Sequence, residues 1–233
     1  MKPKYCVVGS LNMDMITRVE RFVRPGEAMQ GISFAIFPGG KGGNQATALA
    51  RLGAEVEMVG ALGDDVLGRR YAELLDGQGI GRGGVSLEAS ISTGTAAIEV
   101  TAAGENSIVV VWGANGRVEP ARIEAARPII AGCSSMLLQL EIPLDSVLAA
   151  ARMGAERGMT VILDPAPASD MPDELYSLCS VITPNETEAR HLTGEDTSTE
   201  EGIARAARAL LARGAKAAIV KAGGRGAYLA RGR

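Results

Sequence analysis

The chain has 233 residues, 46% of them apolar, which is enough to bury a substantial core in one large domain or two small ones. Its net charge of −3 and pI near 5.4 provide no basic surface for nucleic acid or an anionic membrane. No segment approaches the roughly 20 continuous apolar residues of a membrane span, and the first residues lack the pattern of a signal peptide. We therefore expect a cytoplasmic globular protein that binds neither nucleic acid nor membrane.

The cysteine and histidine content excludes several kinds of active site. Cys6, Cys133 and Cys179 are scattered and lie in or beside apolar runs, which favours reduced, buried thiols over a disulfide framework. His191 is the only histidine and lies near the expected end of a short helix, where a surface position is favoured. The chemistry should therefore depend mainly on carboxylates, lysines, backbone amides and a bound metal ion.

Short apolar runs and amphipathic stretches alternate along most of the chain. Strands are expected at residues 5–9 and 56–60, with a helix at 44–52 between them. The further expected strands cover residues 136–140, 160–163, 180–183 and 217–221, and the further helices cover 66–76, 144–157 and 199–213. This alternation predicts a parallel sheet covered by helices.

Two segments, 15–37 and 95–111, depart from this alternation because their apolar residues recur with a period near two. In the second segment, a turn at 102–106 separates two apolar stretches and predicts a hairpin with one apolar face. We expect these segments to form a small antiparallel accessory sheet. Its apolar face could close over a ligand, pair with a second subunit, do both, or only pack against the main domain.

Asn12 and Asp14 follow the first expected strand after Gly9. In an extended chain, residues two apart lie on the same face. An amide and a carboxylate at the carboxyl end of a parallel strand suit the hydroxyl groups of a sugar, because ligands collect at that edge. Asn and Asp are also common turn residues, so a purely structural role remains the alternative.

The segment 38–46 contains four glycines around Lys41 and leads into an expected helix. Such glycines let backbone amides approach a ligand closely, and Lys41 and Asn44 add hydrogen-bond donors. The spacing does not match the Gly-x-x-x-x-Gly-Lys-Ser/Thr phosphate loop of nucleotide-binding proteins. A small polyhydroxylated ligand therefore fits this segment better than a nucleotide phosphate.

A second glycine cluster, at residues 79–84, matches Gly-x-Gly-x-x-Gly by its letters alone. The dinucleotide-binding motif requires a strand before it and a helix after it, whereas here a helix precedes and a strand follows. We expect a glycine-rich loop without a nicotinamide site.

Three further carboxylates lie at or near the ends of expected strands. Glu141 ends one strand, and Asp164 ends another before two prolines that stiffen the chain. Asn185 and Glu188 are three residues apart at an expected helix start, so their side chains share a helix face. That spacing also matches a capping box, in which the two residues stabilise the helix without any other function.

Together these motifs resemble the ribokinase family of carbohydrate kinases. The resemblance runs in order from Val7 to about Gly226. It implies an α/β fold: a three-layer sandwich with a mostly parallel central sheet and a small β-sheet lid, in one domain over 1–233 with the lid at about 15–37 and 95–111. The motifs that carry it are Gly9-Ser10-Leu11-Asn12-Met13-Asp14, Gly39-Gly40-Lys41-Gly42-Gly43-Asn44-Gln45-Ala46, Leu138-Gln139-Leu140-Glu141, Asp164-Pro165-Ala166-Pro167-Ala168 and Thr183-Pro184-Asn185-Glu186-Thr187-Glu188-Ala189.

The resemblance implies ATP-dependent phosphorylation of a small sugar, D-ribose to ribose 5-phosphate, in a homodimer paired through the lid. It implies Mg²⁺ at Glu188 and nucleotide contacts from Asn185, Glu188, Lys221 and Gly223. At Lys221 the family tends to carry a small hydroxyl residue, so this contact departs from the pattern. The implied sugar-binding residues are Asn12, Asp14, Gly40, Lys41, Asn44, Ala96, Ile98 and Glu141.

The family's Gly-Ala-Gly-Asp motif is absent from these 233 residues. By the resemblance, this motif supplies the catalytic base and the amides that stabilise the transferring phosphoryl group, and the adenine pocket and monovalent-cation (K⁺) loops lie in the same part. We therefore expect the C-terminal part of the fold to be missing, no catalytic residue in this chain, and impaired activity. The alternatives are a non-catalytic sugar-binding or dimerisation module, or a fragment of a kinase.

Overall fold

The computed structural model describes residues 3–232. The strands are β1 (Lys4–Val8), β2 (Asn12–Val19), β3 (Ser33–Gly39), β4 (Glu55–Gly63), β5 (Gly81–Glu88), β6 (Gly94–Thr101), β7 (Asn106–Val111), β8 (Ser135–Leu138), β9 (Thr160–Leu163), β10 (Val181–Ile182), β11 (Ala217–Lys221) and β12 (Ala227–Arg231). The α-helices are α1 (Lys41–Arg51), α2 (Val66–Gly77), α3 (Pro120–Ala125), α4 (Arg127–Ile130), α5 (Leu144–Glu156), α6 (Asp173–Leu178), α7 (Glu186–Thr193) and α8 (Glu200–Ala212), with 3₁₀ turns at Gly113–Arg117 and Gly223–Arg225.

The larger sheet has eight strands in the order β12-β11-β10-β9-β8-β1-β4-β5. All neighbouring pairs are parallel except β11 and β12, which form an antiparallel hairpin at one edge. Strand β1 is central, and its Val8 lies opposite Val59 of β4 and Leu138 of β8. The predicted α/β fold with a mostly parallel sheet is confirmed.

Helices cover both faces of this sheet. Successive residues of a strand point to opposite sides, so apolar residues of one strand pack against helices on both faces. On β1, Cys6 and Val8 belong to one apolar cluster with residues of α5, α7 and α8. Val7 belongs to a second cluster, which includes Ala46 of α1 and Leu75 of α2. The sheet is therefore the middle layer of three. Within the range that the structure describes, no helix is long and apolar enough to cross a membrane.

A second, four-stranded sheet has the order β3-β2-β6-β7. It begins at Asn12 and Gly94, slightly earlier than the segments 15–37 and 95–111 predicted for it. We refer to this sheet as the lid. The prediction that it is wholly antiparallel was wrong, since β2 and β6 pair in parallel. Both strands leave the carboxyl edge of the main sheet, β2 after β1 and β6 after β5, so they run in the same direction.

The glycine cluster at 79–84 is only partly a loop, because β5 already begins at Gly81. Its glycines allow a close approach to β4: a Cβ atom on Gly81 would lie 2.1 Å from Glu57 Oε2, and one on Gly84 would lie 2.9 Å from the carbonyl oxygen of Met58. The pairing shifts register between Glu57 and Val59 at this point. Glycine is unfavourable in most strands but is found where another backbone comes close.

The cysteines and the histidine lie away from the cleft described below. Cys6 and Cys179 are buried and Cys133 is half-buried, and all three are free thiols. Burial raises the pKa of the Cys179 thiol to about 12, so it stays protonated at neutral pH. His191 lies exposed in the last turn of α7, which ends at Gly194 in a left-handed conformation.

Candidate functional site

Three distant segments meet at the carboxylate of Glu141, just beyond the carboxyl end of β8. The Ser10 hydroxyl, directly after β1, donates a hydrogen bond to Glu141 Oε2 at 2.5 Å. The backbone N–H of Lys41, the first residue of α1, donates to the same oxygen at 3.0 Å. An ionised acceptor makes these bonds stronger than bonds between neutral groups. The carboxylate therefore fixes the start of α1 against the edge of the main sheet.

Glycines make this close approach possible. Gly40 adopts φ 80°, a conformation that disfavours other residues, and a Cβ atom there would lie 2.7 Å from the backbone nitrogen of Asn12. A Cβ atom on Gly42 would lie 2.8 Å from both Gly9 C and Ser10 N. The amino end of α1 is thus in direct backbone contact with the segment between the two sheets.

Asp14 lies half-buried on β2, next to Gly39 and near Glu141. A Cβ atom on Gly39 would lie 2.1 Å from Asp14 Oδ2, so the carboxylate packs directly on that glycine. The buried Tyr71 hydroxyl donates a hydrogen bond to the Gly39 carbonyl oxygen at 2.7 Å and stabilises the backbone at the end of β3. Burial, and to a smaller extent the charge of Glu141, raises the pKa of Asp14. The two carboxylates therefore share one partly desolvated cleft.

Asn12 is 4% exposed, and its side-chain oxygen Oδ1 accepts a hydrogen bond from Asn115 Nδ2 at 2.7 Å. Asn115 follows β7 in the 3₁₀ turn Gly113–Arg117 and also contacts the backbone of Leu11. Asn12 is consequently fixed at the point where the chain passes from the main sheet into the lid.

The lid residues Ala96 and Ile98 face the same side as Asp14. In the parallel pairing of β2 and β6, Ala96 lies opposite Asp14 and Ile98 lies opposite Ile16. Ala96 is buried and Ile98 is half-buried. Asn44 is exposed on α1, and its backbone N–H donates to the carbonyl oxygen of Gly40. Asp14 and the backbone of Lys41 therefore lie with Glu141 at one cleft between α1, β2 and the end of β8, and Asn44, Ala96 and Ile98 lie on the elements that flank it.

The predicted nucleotide residues gather at the carboxyl ends of β10 and β11. Asn185 caps α7: its Oδ1 accepts from Glu188 N at 2.8 Å, while Glu188 Oε2 accepts from Asn185 N at 2.7 Å. The capping box considered from the spacing is therefore present. Lys221 pairs with Asn185 through a β-bridge, and Gly223 lies in the following 3₁₀ turn with φ 54°.

A polar network connects this second group to α1. Lys221 Nζ forms an ion pair with Asp164 Oδ1 at 2.7 Å. Gln45 Nε2 of α1 lies 3.4 Å from the other carboxylate oxygen, Asp164 Oδ2, and Gln139 Nε2 donates to Gln45 Oε1 at 2.7 Å. Asp164 thus lies between the cleft around Glu141 and the residues at the end of β11.

Five residues of the site were not singled out from the sequence. Ser10, Gln45 and Gln139 lie within recognised motifs, but their partners are 94 to 131 residues away. Tyr71 and Asn115 lie outside every motif. The one signal in the sequence for these residues was a hydroxyl or amide side chain among apolar neighbours, because buried polar groups almost always have hydrogen-bond partners.

The donor set is compatible with magnesium held mainly by a nucleotide. Among residues 3–232, no three His, Cys, Asp or Glu side chains come together as a metal site. Glu188 uses Oε2 in the capping box, and its Oε1 takes part in no hydrogen bond within that range. Mg²⁺ is commonly held by one or two carboxylates together with substrate phosphates and waters, so Glu188 fits such a role.

Comparison with known proteins decides the family. The model of the pfkB family of carbohydrate kinases matches residues 2–233. The chain belongs to this family. This carbohydrate kinase is 37% identical to the ribokinase of Haemophilus influenzae over 231 residues, covering 99% of the chain and 76% of that relative. It is also 37% identical to the deoxyribokinase of Salmonella typhimurium over 222 residues, covering 95% and 72% of the two chains.

Solved structures agree with this assignment. The ribokinase of Arabidopsis thaliana, in complex with ribose and ATP, superposes with a TM-score of 0.89 at 34% identity. The match covers 99% of this carbohydrate kinase and 75% of the plant enzyme. The ribokinase of Thermotoga maritima gives a TM-score of 0.87 at 33% identity over the same shares.

The replacement Asp14→Asn is expected to increase the free energy of unfolding at pH 7. The raised pKa means that the folded state holds the Asp14 proton more tightly than the unfolded state, so stability falls as pH rises through this pKa. A neutral amide removes that penalty, and the gain should disappear below the ordinary value of 3.8. Urea unfolding across this pH range measures the effect.

The exposed Asp170→Asn provides the matched control, for which a change within about ±0.5 kcal/mol is expected at neutral pH. A clear loss of stability in Asp14→Asn at pH 7 would show that the ionised carboxylate is stabilised by its surroundings, contrary to this interpretation.

Proposed function

We propose that this chain binds D-ribose in the cleft around Glu141 and belongs to an enzyme that transfers the γ-phosphoryl group of ATP to it, forming ribose 5-phosphate. The observation that carries the proposal is the convergence of Ser10, Lys41 and Asp14 on Glu141. Carboxylate oxygens beside backbone N–H and hydroxyl groups suit a ligand rich in hydroxyl groups. The ribose and ATP bound to the Arabidopsis relative support the choice of ligands.

In this proposal, Asp14 and Glu141 accept hydrogen bonds from sugar hydroxyls, and Lys41 and Asn44 donate to sugar oxygens. Gly40, which has no side chain, leaves the backbone free to contact the ligand. Asn12 contributes its amide from the junction of the two sheets. Ala96 and Ile98 of the lid cover the sugar from the opposite side.

We place the nucleotide phosphates near Asn185, Lys221 and Gly223, because the amino end of α7 and an exposed ammonium group both favour anions. Magnesium would be held by Glu188 and would neutralise charge on the transferring phosphoryl group. For Lys221 to reach a phosphate, its ion pair with Asp164 must open or be shared. Asp164 is therefore placed between the two substrates, where phosphoryl transfer takes place.

Impaired turnover of these 233 residues stays a prediction. A positioned general base is worth about 10²–10⁴ in rate. Removing one preorganised donor to the developing charge costs roughly 10²–10³. In this proposal Glu141 lies in the sugar cleft, where its Oε2 already accepts hydrogen bonds from Ser10 and Lys41.

Calorimetric titration of the 233-residue chain with ribose, 2-deoxyribose and magnesium ATP, followed by a turnover assay, tests the proposal. We expect saturable ribose binding and turnover at least about 10²-fold below that of a ribokinase. Preferential binding of 2-deoxyribose would reassign the sugar, in line with the deoxyribokinase relative. Absence of binding to either sugar contradicts the proposal, and full turnover contradicts the impairment.

The variant Asn44→Ala identifies the cleft that binds the sugar. Loss of one hydrogen bond worth about 0.5–1.5 kcal/mol should weaken ribose binding by about 2- to 12-fold. Asn106→Ala, an exposed asparagine at the start of β7, serves as the control and should leave binding unchanged. Equal effects of the two variants would place the sugar elsewhere.

We further propose that the lid pairs two copies of the chain. The observation in favour is β7, whose side chains are all exposed although Ile108–Val111 are apolar; Ile108 and Val109 are 51% and 64% exposed. Contiguous exposed apolar surface commonly marks an interaction site, and β7 is also an edge strand with free backbone groups. A second copy would cover both features.

Sedimentation equilibrium of the double variant Ile108→Glu/Val109→Glu tests this pairing. Successive residues of β7 point to opposite faces, so the variant places a charge on each face. We expect a dimeric wild-type chain and a monomeric variant. Leu52→Glu changes a residue of the main domain that is 85% exposed and should remain dimeric. A monomeric wild-type chain at high concentration contradicts the pairing.

A further inference from the structure

The orientation of the Asn12 side chain is determined by Asn115. The backbone N–H of Leu11 can only donate a hydrogen bond, and it points at the Asn115 side chain at 2.8 Å. The atom that receives it must therefore be the oxygen, Oδ1. The amide nitrogen of Asn115 then faces the carbonyl oxygen of Leu11 at 3.2 Å and the Asn12 side chain at 2.7 Å.

This arrangement leaves one orientation for Asn12. Because Asn115 presents N–H groups, Asn12 must meet them with its own oxygen, Oδ1. The opposite atom, Asn12 Nδ2, has no hydrogen-bond partner among residues 3–232 and is not among the enclosed polar atoms that lack one. Asn12 is 4% exposed overall, and its amide nitrogen keeps contact with solvent.

The amide pair lies in a closely packed region. Gly94, the residue opposite Asn12 on β6, lies against both side chains: a Cβ atom there would lie 2.2 Å from Asn115 Nδ2 and 2.3 Å from Asn12 Oδ1. Asn115 is itself 1% exposed. Turning over the Asn12 amide alone would break its hydrogen bond with Asn115 and bring two N–H groups together, and turning over both amides would break all three hydrogen bonds.

We propose that Asn115 is a positioning residue that holds Asn12 with its Nδ2 toward the cleft, so that Asn12 acts as a hydrogen-bond donor to a sugar oxygen. The identification of the ligand as a sugar rests on the function proposed above. When they are ionised, the carboxylates of Asp14 and Glu141 accept hydrogen bonds and donate none. A fixed donor on the β2 side therefore gives the cleft one side that donates and one side that accepts. A ligand must then present an acceptor to Asn12 and donors to the two carboxylates.

Exchange of the side-chain amide protons with solvent tests the orientation without any ligand. In the ¹⁵N-labelled wild-type chain, the Asn115 amide protons should be protected, whereas those of Asn12 should exchange rapidly. The variants Asn12→Asp and Asn115→Asp assign the two signals by their loss. Protected Asn12 protons in the free protein would overturn the proposal, whatever the chain binds.

A double-mutant cycle tests whether Asn115 acts through Asn12. Asn115→Asp keeps the shape but replaces a donor by an acceptor, so Asn12 should turn over and ribose affinity should fall by about 10-fold. In an Asn12→Ala background the same change should alter affinity by less than about 2-fold. Equal losses in both backgrounds would show a structural role only and overturn the proposal.

The variant Ile130→Val is the control for an effect of lost stability alone. Ile130 is fully buried in the apolar cluster that contains Cys6 and Val8 of β1. It should cost about 0.5–1.5 kcal/mol of stability and leave ribose affinity unchanged. If Asn115→Asp does not fold, Asn115→Ser, which retains a donor, takes its place in the cycle with a smaller expected loss. A wild-type chain without sugar binding contradicts the proposed function, and the exchange measurement still decides the orientation.

Discussion

The site depends on one carboxylate, that of Glu141, which joins three segments far apart in the chain. Its Oε2 receives the Ser10 hydroxyl, 131 residues away, and the backbone N–H of Lys41, 100 residues away. The first bond fixes the exit of β1, and the second fixes the start of α1 after the lid strand β3. This partly buried acceptor adds to the hydrogen bond from Gly43 N to the Ser10 carbonyl oxygen, which also holds the amino end of α1 at the sheet edge.

The close approach that Glu141 requires explains the glycines of the site. Gly40 and Gly42 put the backbone of α1 within contact distance of Ser10, and Gly39 leaves room for Asp14. The same crowding places two carboxylates in one half-buried cleft and raises the pKa of Asp14. Such an arrangement is unfavourable for the free protein, and under the proposed function a polyhydroxylated ligand would supply the missing donors, so that stability and binding are in opposition.

Much of the fold could be predicted from the sequence because its local signals agree with its tertiary structure. The strands at 160–163 and 217–221 were predicted with their observed bounds, and the capping box at Asn185 and Glu188 was recognisable from spacing. The parallel pairing of β2 and β6 was not predictable, because hydrophobic alternation does not indicate strand direction. The start of β5 at Gly81 was also missed, since close packing against Glu57 overrides the poor strand propensity of glycine.

The site itself was predictable only where its residues lie in ordered motifs. Asp14, Lys41 and Glu141 were identified in this way, and the structure brings them together. Asn115 and Tyr71 were not, because they act through long-range hydrogen bonds that leave no periodic pattern. A glycine motif in the sequence indicates that two backbones come into contact. Which two segments of the chain do so depends on the tertiary structure.

The ribose affinity of Glu141→Gln, measured by calorimetry, tests most directly whether this carboxylate organises the cleft. A neutral amide weakens two charge-assisted hydrogen bonds, each worth about 1.5–3 kcal/mol, and removes an acceptor for the sugar. We predict a loss of affinity of about 10- to 100-fold or more, with no change for Glu73→Gln, an exposed glutamate on α2. Unchanged ribose affinity in Glu141→Gln would contradict this account of the site.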